Sequence, residues 1–169
     1  SCFPKDVQAL INISKKEGYN PTLLNSVEKV NKIQKEVLFS KLTKQIGPNL
    51  KGKTIAIWGL AFKPETDDMR EAPSINLITS ITNHGGRVNA YDPKSIYEAK
   101  FYLQGIDVNY YENKYDVLEN ADALVLVTEW KEFRSPDFDL MKSKMKGNLF
   151  IDGRNQFKKR FIEGKGFKY

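Results

Sequence analysis

From Lys53 onward, short apolar runs alternate with segments of helical period, and this alternation restricts the fold more than any other feature of the chain. Thr54–Trp58 reads as a strand. Pro73–His84 reads as a helix stopped by Gly85 and Gly86, and Val88–Tyr91 as a strand closed by Asp92-Pro93. Ser95–Leu103 is helical, Asp107–Tyr110 a strand and Tyr115–Asn120 a short helix. Ala123–Thr128 is a continuous apolar run, the pattern of a strand buried on both faces. Residues 137–144 are weakly helical, and Asn148–Ile151 is the last strand. The order implies an α/β domain with a doubly wound parallel sheet. In such a sheet ligands sit beyond the carboxyl ends of the strands. The loops after Trp58, Tyr91, Thr128 and Ile151 are therefore where chemistry is expected.

The first third of the chain has a different pattern. Residues 4–17 read as a short helix, with Pro4 in its first turn, Val7, Leu10 and Ile11 on one face, and Gly18 as its end. Pro21 opens a longer helical pattern that runs to Ile46. Its apolar residues Leu23, Leu24, Val27, Val30, Ile33, Val37, Leu38, Leu42 and Ile46 fall at steps of three and four. Such a helix is a rod of roughly 39 Å. A rod this long connects two domains or packs against a second chain. Gly47, Pro48 and Gly52 mark a boundary, giving a helical region at 1–47 and the sheet domain at 48–169.

Several classes are excluded. No stretch approaches the roughly 20 apolar residues of a membrane span, and no signal peptide opens the chain. With Cys2 the lone cysteine and His84 the lone histidine, neither a disulfide framework nor a Cys/His metal site is expected. A cytoplasmic location is the expectation. Residue 1 is Ser1, so a processed chain or a piece of a longer one is also expected. Residues 142–169 hold nine Lys or Arg against Asp152 and Glu163, which exceeds the net +6 of the whole chain. That tail reads either as a polyanion-binding surface or as a solvated basic one.

The loops carry the candidate chemistry. Neither Gly-x-Gly-x-x-Gly nor a P-loop motif occurs. The first strand leads instead into Gly59-Leu60-Ala61-Phe62-Lys63-Pro64. Here Lys63 offers an ammonium and Phe62 a flat apolar surface, which suit a phosphorylated, base-bearing ligand. From the spacing alone, a surface lysine beside a core phenylalanine is the reading favoured over a ligand site. Glu65, Asp67, Asp68, Arg70 and Glu71 stand just before the helix at Pro73, as a helix cap and loop salt bridges or as paired catalytic carboxylates. After the last strand, Gly153 permits a sharp turn and Arg154 is a phosphate-binding arginine or part of the basic tail. Cys2 lies at a helix start beside Lys5, a setting that favours a thiolate, with Asp6 close by to orient a water. An inert terminal thiol is the alternative. His84 reads as a helix-end or surface residue, and Trp58 and Trp130 as packing residues.

Taken in order, these segments resemble the UDP-glucose/GDP-mannose dehydrogenase family. The resemblance rests on Ser1-Cys2-Phe3-Pro4-Lys5-Asp6, Gly59–Pro64, Thr66–Ser74, Ala90-Tyr91-Asp92-Pro93, Val127-Thr128-Glu129-Trp130 and Asp152-Gly153-Arg154-Asn155. It covers essentially the whole chain, and Thr66–Ser74 is worded as in the branch that acts on UDP-glucose. It implies a long connecting helix followed by a Rossmann-like doubly wound parallel sheet. The implied reaction oxidises UDP-glucose to UDP-glucuronate with two NAD in succession. Cys2 would attack the C6 aldehyde and carry a thiohemiacetal and then a thioester, with Asp6 assisting the water that frees the acid. Lys5 and Arg70 would reach NAD, and Phe62, Lys63 and Arg154 would hold the nucleotide sugar. The helix at 21–46 would pack in a homodimer. No nucleic acid, membrane or metal is implied. The family's N-terminal NAD-binding domain and its oxyanion-stabilising lysine and asparagine do not occur in these residues. The resemblance therefore implies a UDP-binding half that is not catalytic alone. The alternatives are a UDP-N-acetylhexosamine or GDP-mannose substrate, or a nucleotide-sugar-binding module without chemistry.

Overall fold

The alternation of side chains along Thr54–Trp58 sets the two faces of the sheet domain. This strand, β1, is buried at every residue. Ile55 and Ile57 point to one face, and Ala56 and Trp58 to the other. The computed structural model describes residues 2–169; Ser1 and the side chains of Cys2 and Phe3 lie outside the described residues. Arg87–Tyr91 (β2), Val108–Tyr110 (β3), Ala123–Leu126 (β4) and Leu149–Asp152 (β5) join β1 in one parallel sheet of order β3-β2-β1-β4-β5. Ile57 is in register with Ala90 on one side and Val125 on the other. The chain moves outward from β1 to β3, crosses back to β4 beside β1, and continues to β5. The reversal of direction between β1 and β4 is the switch point at which such sheets open a crevice.

The helices are α1 (Cys2–Lys16), α2 (Thr22–Ile46), α3 (Pro73–Asn83), α4 (Ile96–Tyr102), α5 (Phe138–Lys144) and α6 (Lys159–Gly164). The expected α/β order is borne out, with ends displaced by a residue or two. The expected helix at 115–120 is a single 3-10 turn, Asp116–Leu118, because Asn120 takes a left-handed φ of 56° before β4 begins. β4 stops at Leu126, two residues short of the apolar run, since Val127 and Thr128 turn back onto Trp58 through N–H groups directed at its carbonyl. The short α6 and a 3-10 turn at Lys131–Phe133 were not expected; each is too brief to display a period.

One face of the sheet is aliphatic. Ile55, Ile57, Val88 and Val125 pack with Leu77, Ile78 and Ile81 of α3 and with Leu42. The other is aromatic: Trp58, Phe133, Phe150, Phe138 and Phe167 fill it with Leu124, Leu126 and Met141. The Trp58 and Phe133 rings stack at 4.9 Å between centroids, and Phe150 meets Trp58 edge-on at 6.5 Å.

Residues 1–37 and 38–169 form two compact units. In the first, Val7 and Ile11 are buried and Gln8 Nε2 donates to Glu28 Oε1 at 3.1 Å. The stripe expected along α2 is not a buried face over its length: Leu23, Val30 and Ile33 are exposed, and Leu42 is the buried residue. In the second unit much of the basic tail is neutralised by carboxylates. Lys142 pairs with Asp139, Lys144 with Asp116 and Glu119, Lys146 with Asp122, and Lys159 with Glu163. The solvated reading of that charge fits this pairing better than the polyanion reading. No helix among the described residues is long and apolar enough to cross a membrane.

Phe133 joins the loop after β4 to the aromatic face. Replacing it with alanine is expected to cost about 3–5 kcal/mol of stability, read as a fall in the urea midpoint at unchanged slope.

Candidate functional site

At the switch point, where such a sheet opens its crevice, stands the turn after β1. Gly59 has φ +86°, and a Cβ there would lie 2.5 Å from Thr128 Cβ and 2.7 Å from its N, so the turn and the loop after β4 touch backbone to backbone. Side chains from four other segments then fix the turn. Leu60 and Ala61 donate their N–H groups to Asp92 Oδ2 at 2.7 and 3.1 Å. The Leu60 carbonyl accepts from Ser74 Oγ and the Ala61 carbonyl from Thr128 Oγ1. Gly59 N–H donates to the Tyr91 carbonyl and Phe62 N–H to the Asp68 carbonyl, both at 2.8 Å. The Phe62 carbonyl accepts from Arg154 Nη2 at 3.4 Å.

Asp92, at the carboxyl end of β2, is the hub of this network. It is 2% exposed. Besides the two turn amides, Oδ2 accepts from Trp130 Nε1 at 3.0 Å, and Oδ1 accepts from Lys94 and Ser95 N–H at 2.9 Å each. A buried carboxylate is tolerated only when hydrogen-bonded in this way. In dinucleotide-binding sheets the first-turn amides face a pyrophosphate and the acid after the second strand faces a ribose. Here those two groups bond to each other. The turn therefore does not fit NAD.

Arg154 closes the far side. Asp152, buried at the end of β5, accepts from Arg154 N–H at 2.8 Å, from Phe157 N–H at 3.1 Å and from the Tyr169 hydroxyl at 2.8 Å. Burial, followed by that bond to Asp152, pushes the Tyr169 hydroxyl pKa upward. Arg154 Nε donates to the Val127 carbonyl at 2.6 Å, so its 3.0 Å approach to Glu129 Oε2 is an ion pair. Arg154 thus spans the ends of β1, β4 and β5.

The charged loop before α3 holds the loop salt bridges expected of it. The N-cap position is held by Ala72, which makes no side-chain bond, and Pro73 removes one donor. Asp68 takes Arg70 in a two-pronged pair, Oδ1 to Nε and Oδ2 to Nη2, both at 2.9 Å. The Arg70 bond first, aided by its charge, lowers the Asp68 carboxyl to about 2. On the opposite rim Tyr91 donates to Glu132 at 3.1 Å, and burial followed by that carboxylate raises its hydroxyl to about 12.

Of the residues singled out from sequence, Phe62 and Arg154 are brought together, Phe62 half-buried beside the exposed Lys63. Arg70 stands in the same loop, held by Asp68. Lys5 and Asp6 are exposed on α1 in the other unit, and the Cys2 side chain lies outside the described residues. His84 and Trp58 have the structural roles expected of them: His84 ends α3 and packs on Phe39, and Trp58 is core. No cluster able to hold a metal occurs among the described residues. Asp92 and Trp130 were overlooked as site residues; the signal was an acid directly after a strand, at the place where a ribose ligand is ordinarily met.

A doubly wound parallel sheet with polar groups gathered at its switch point is an architecture in which nucleotides are ordinarily bound. Residues 56–159 match the model of the UDP-glucose/GDP-mannose dehydrogenase family, UDP binding domain, and the chain belongs to that family. It is 44% identical to the UDP-glucose 6-dehydrogenase of Pseudomonas aeruginosa and 38% identical to that of Rhizobium meliloti, in each case over 100% of this chain and 38% of the relative. The chain thus spans well under half the length of these relatives. Among solved structures, a UDP-glucose dehydrogenase from Pyrobaculum islandicum superposes with a TM-score of 0.81 at 29% identity, covering 95% of this chain and 35% of that one.

Two outcomes follow from this geometry. Gly59→Ala is expected to destabilise the domain by about 2–4 kcal/mol, measured by chemical denaturation, since both its φ and its contact with Thr128 exclude a side chain. The Asp68 carboxyl, followed by NMR, should titrate near 2 and return toward 3.8 in Arg70→Ala. Because the folded value is depressed, the pair's contribution to stability is present above the ordinary value and is lost as pH falls toward 2. That contribution is at most about 1 kcal/mol, as Arg70 is largely exposed.

Proposed function

We propose that this chain is the UDP-sugar-binding portion of an NAD-dependent UDP-glucose 6-dehydrogenase, which converts UDP-glucose to UDP-glucuronate. The observation that supports this reading is that Arg154, after β5, donates to the backbone carbonyl of Phe62 in the turn after β1, beside the exposed Lys63. In it, Phe62 offers an apolar surface to the nucleotide, while Lys63 and Arg154 neutralise the diphosphate.

Cys2 is the proposed nucleophile. Its thiolate adds to the C6 carbonyl carbon of the sugar aldehyde and makes a thiohemiacetal; with the C6 hydride lost to the oxidant this becomes a thioester, and water oriented by Asp6 cleaves it to the acid and the free thiol. NAD supplies hydride acceptance, and its principal cradle belongs to another part of the longer protein; Lys5 and Arg70 are proposed to touch it. The 169 residues alone bind ligand without turnover. The exposed Leu23, Val30 and Ile33 of α2 support a homodimer through the helix at 21–46. The proposed setting is cytoplasmic.

Calorimetric titration of the chain with UDP-glucose, UDP, GDP-mannose and duplex DNA tests the reading. Saturable binding of the UDP ligands is expected, weakened about tenfold or more by Lys63→Ala and by Arg154→Ala. Preference for GDP-mannose would replace the substrate within the same family. Binding of DNA alone, collapsing with added salt, would overturn the reading.

A further inference from the structure

Every amide of the turn after β1, from Gly59 to Phe62, has a partner within the domain. The carbonyls of Leu60, Ala61 and Phe62 have partners there as well. The same carboxylate that takes two of those amides also holds the start of α4 and the indole of Trp130. We propose that Asp92 is the positioning residue of the nucleotide-sugar site. By consuming the Leu60 and Ala61 amides it locks the segment that presents Phe62 and Lys63, and it leaves the ligand's diphosphate to side chains rather than to the turn's backbone. This inference rests on the UDP-sugar reading and deepens it, assigning how the anion is recognised.

Three features make the lock act on the ligand as well as on the fold. Phe62 directly follows the two peptide units that Asp92 restrains, so rotation of the Ala61 peptide would redirect both Phe62 and Lys63. The indole of Trp130 bonds the same oxygen, so the loops after β1 and β4 are held at a common point. Lys94, whose N–H bonds Asp92 Oδ1, carries its ammonium over the Trp130 ring at 6.0 Å and within 3.9 Å of Glu65. The rim of the crevice beyond the turn is thereby referred to the same carboxylate.

Asp92→Asn tests the proposal, since it keeps the volume of the side chain but sets an amide N–H against the donors of the turn. The expected result is a loss of affinity for UDP of about tenfold or more at a temperature where the variant is folded. Amide exchange at Leu60 and Ala61 should accelerate while Ile55–Ile57 stay protected, and the Trp130 indole proton resonance should shift. A purely structural role would lower the melting temperature and leave the affinity of the folded variant unchanged, which would overturn the proposal. Should Asp92→Asn fail to fold, the wild-type chain still decides. On titration with UDP, the Leu60 and Ala61 amide resonances should hold their positions while the Lys63 resonances move; large shifts of the two turn amides would mean that they bind phosphate and would overturn it. A wild-type chain that binds no UDP ligand overturns the UDP-sugar reading and this role together. Wild-type binding left intact by Asp92→Asn overturns this role alone.

Discussion

The contact between Gly59 and Thr128 is the constraint from which the crevice follows. It brings the ends of the two central strands closer than any side chain at residue 59 would allow, and it does so at the point where the chain's path through the sheet reverses. A turn drawn in that tightly carries polar backbone groups into a dry interior, where each unpaired group costs about 1–3 kcal/mol. The domain answers with Asp92, Ser74 and Thr128, one side chain from each of three neighbouring segments. The arrangement is cooperative, since releasing one partner leaves others unpaired and undermines the approach that required them.

The two faces of the sheet serve this site differently. The aliphatic face, with α3 and the last turns of α2, is a packed slab that keeps β1 and β2 in register. The aromatic face reaches upward into the loops. Trp58, at the end of β1, stacks on Phe133 and donates its indole N–H to the Lys114 carbonyl at 2.6 Å. Lys114 in turn donates to the Glu132 carbonyl at 2.7 Å, and Glu132 accepts from Tyr91. Large rings with one polar handle thus tie the loops after β2, β3 and β4 to the core, so loop geometry is inherited from packing.

The strands and the helix stop at Gly85-Gly86 were legible because their signals are local: an apolar run, a period, a residue free to take positive φ. Gly85 does take φ +80°. Phe62 and Arg154 were legible as neighbours because both directly follow strands of one parallel sheet, and the topology does the rest. Asp92 was not, since its partners at Leu60, Ala61 and Trp130 are 31 to 38 residues away and an acid after a strand has several ordinary uses. The acidic loop was legible in its salt bridges and less so in its capping. A cluster of carboxylates before a helix suggests a cap, but Pro73 and a nearby arginine redirected Asp68. The basic tail displayed its charge while hiding the acids it would meet, because Asp116, Glu119 and Asp122 lie in another part of the chain.

Asp92 and Asp152 are two versions of one device on either side of the switch point. Asp92 directly follows β2 and Asp152 ends β5; each is buried, and each is followed by a residue that bends the chain, Pro93 or Gly153. Each gathers backbone amides that a glycine-rich phosphate loop would leave for its ligand. Buried negative charge already occupies the places where backbone dipoles would attract an anion. A second anion beside them is disfavoured unless cations with some reach stand outside the frame. Arg154 and Lys63 are such cations: the first is braced on the Val127 carbonyl and Glu129, the second projects into solvent. On the proposed reading, recognition by side chains on a rigid frame follows from that division. Specificity then depends on how firmly the two aspartates hold the turns from which these cations extend.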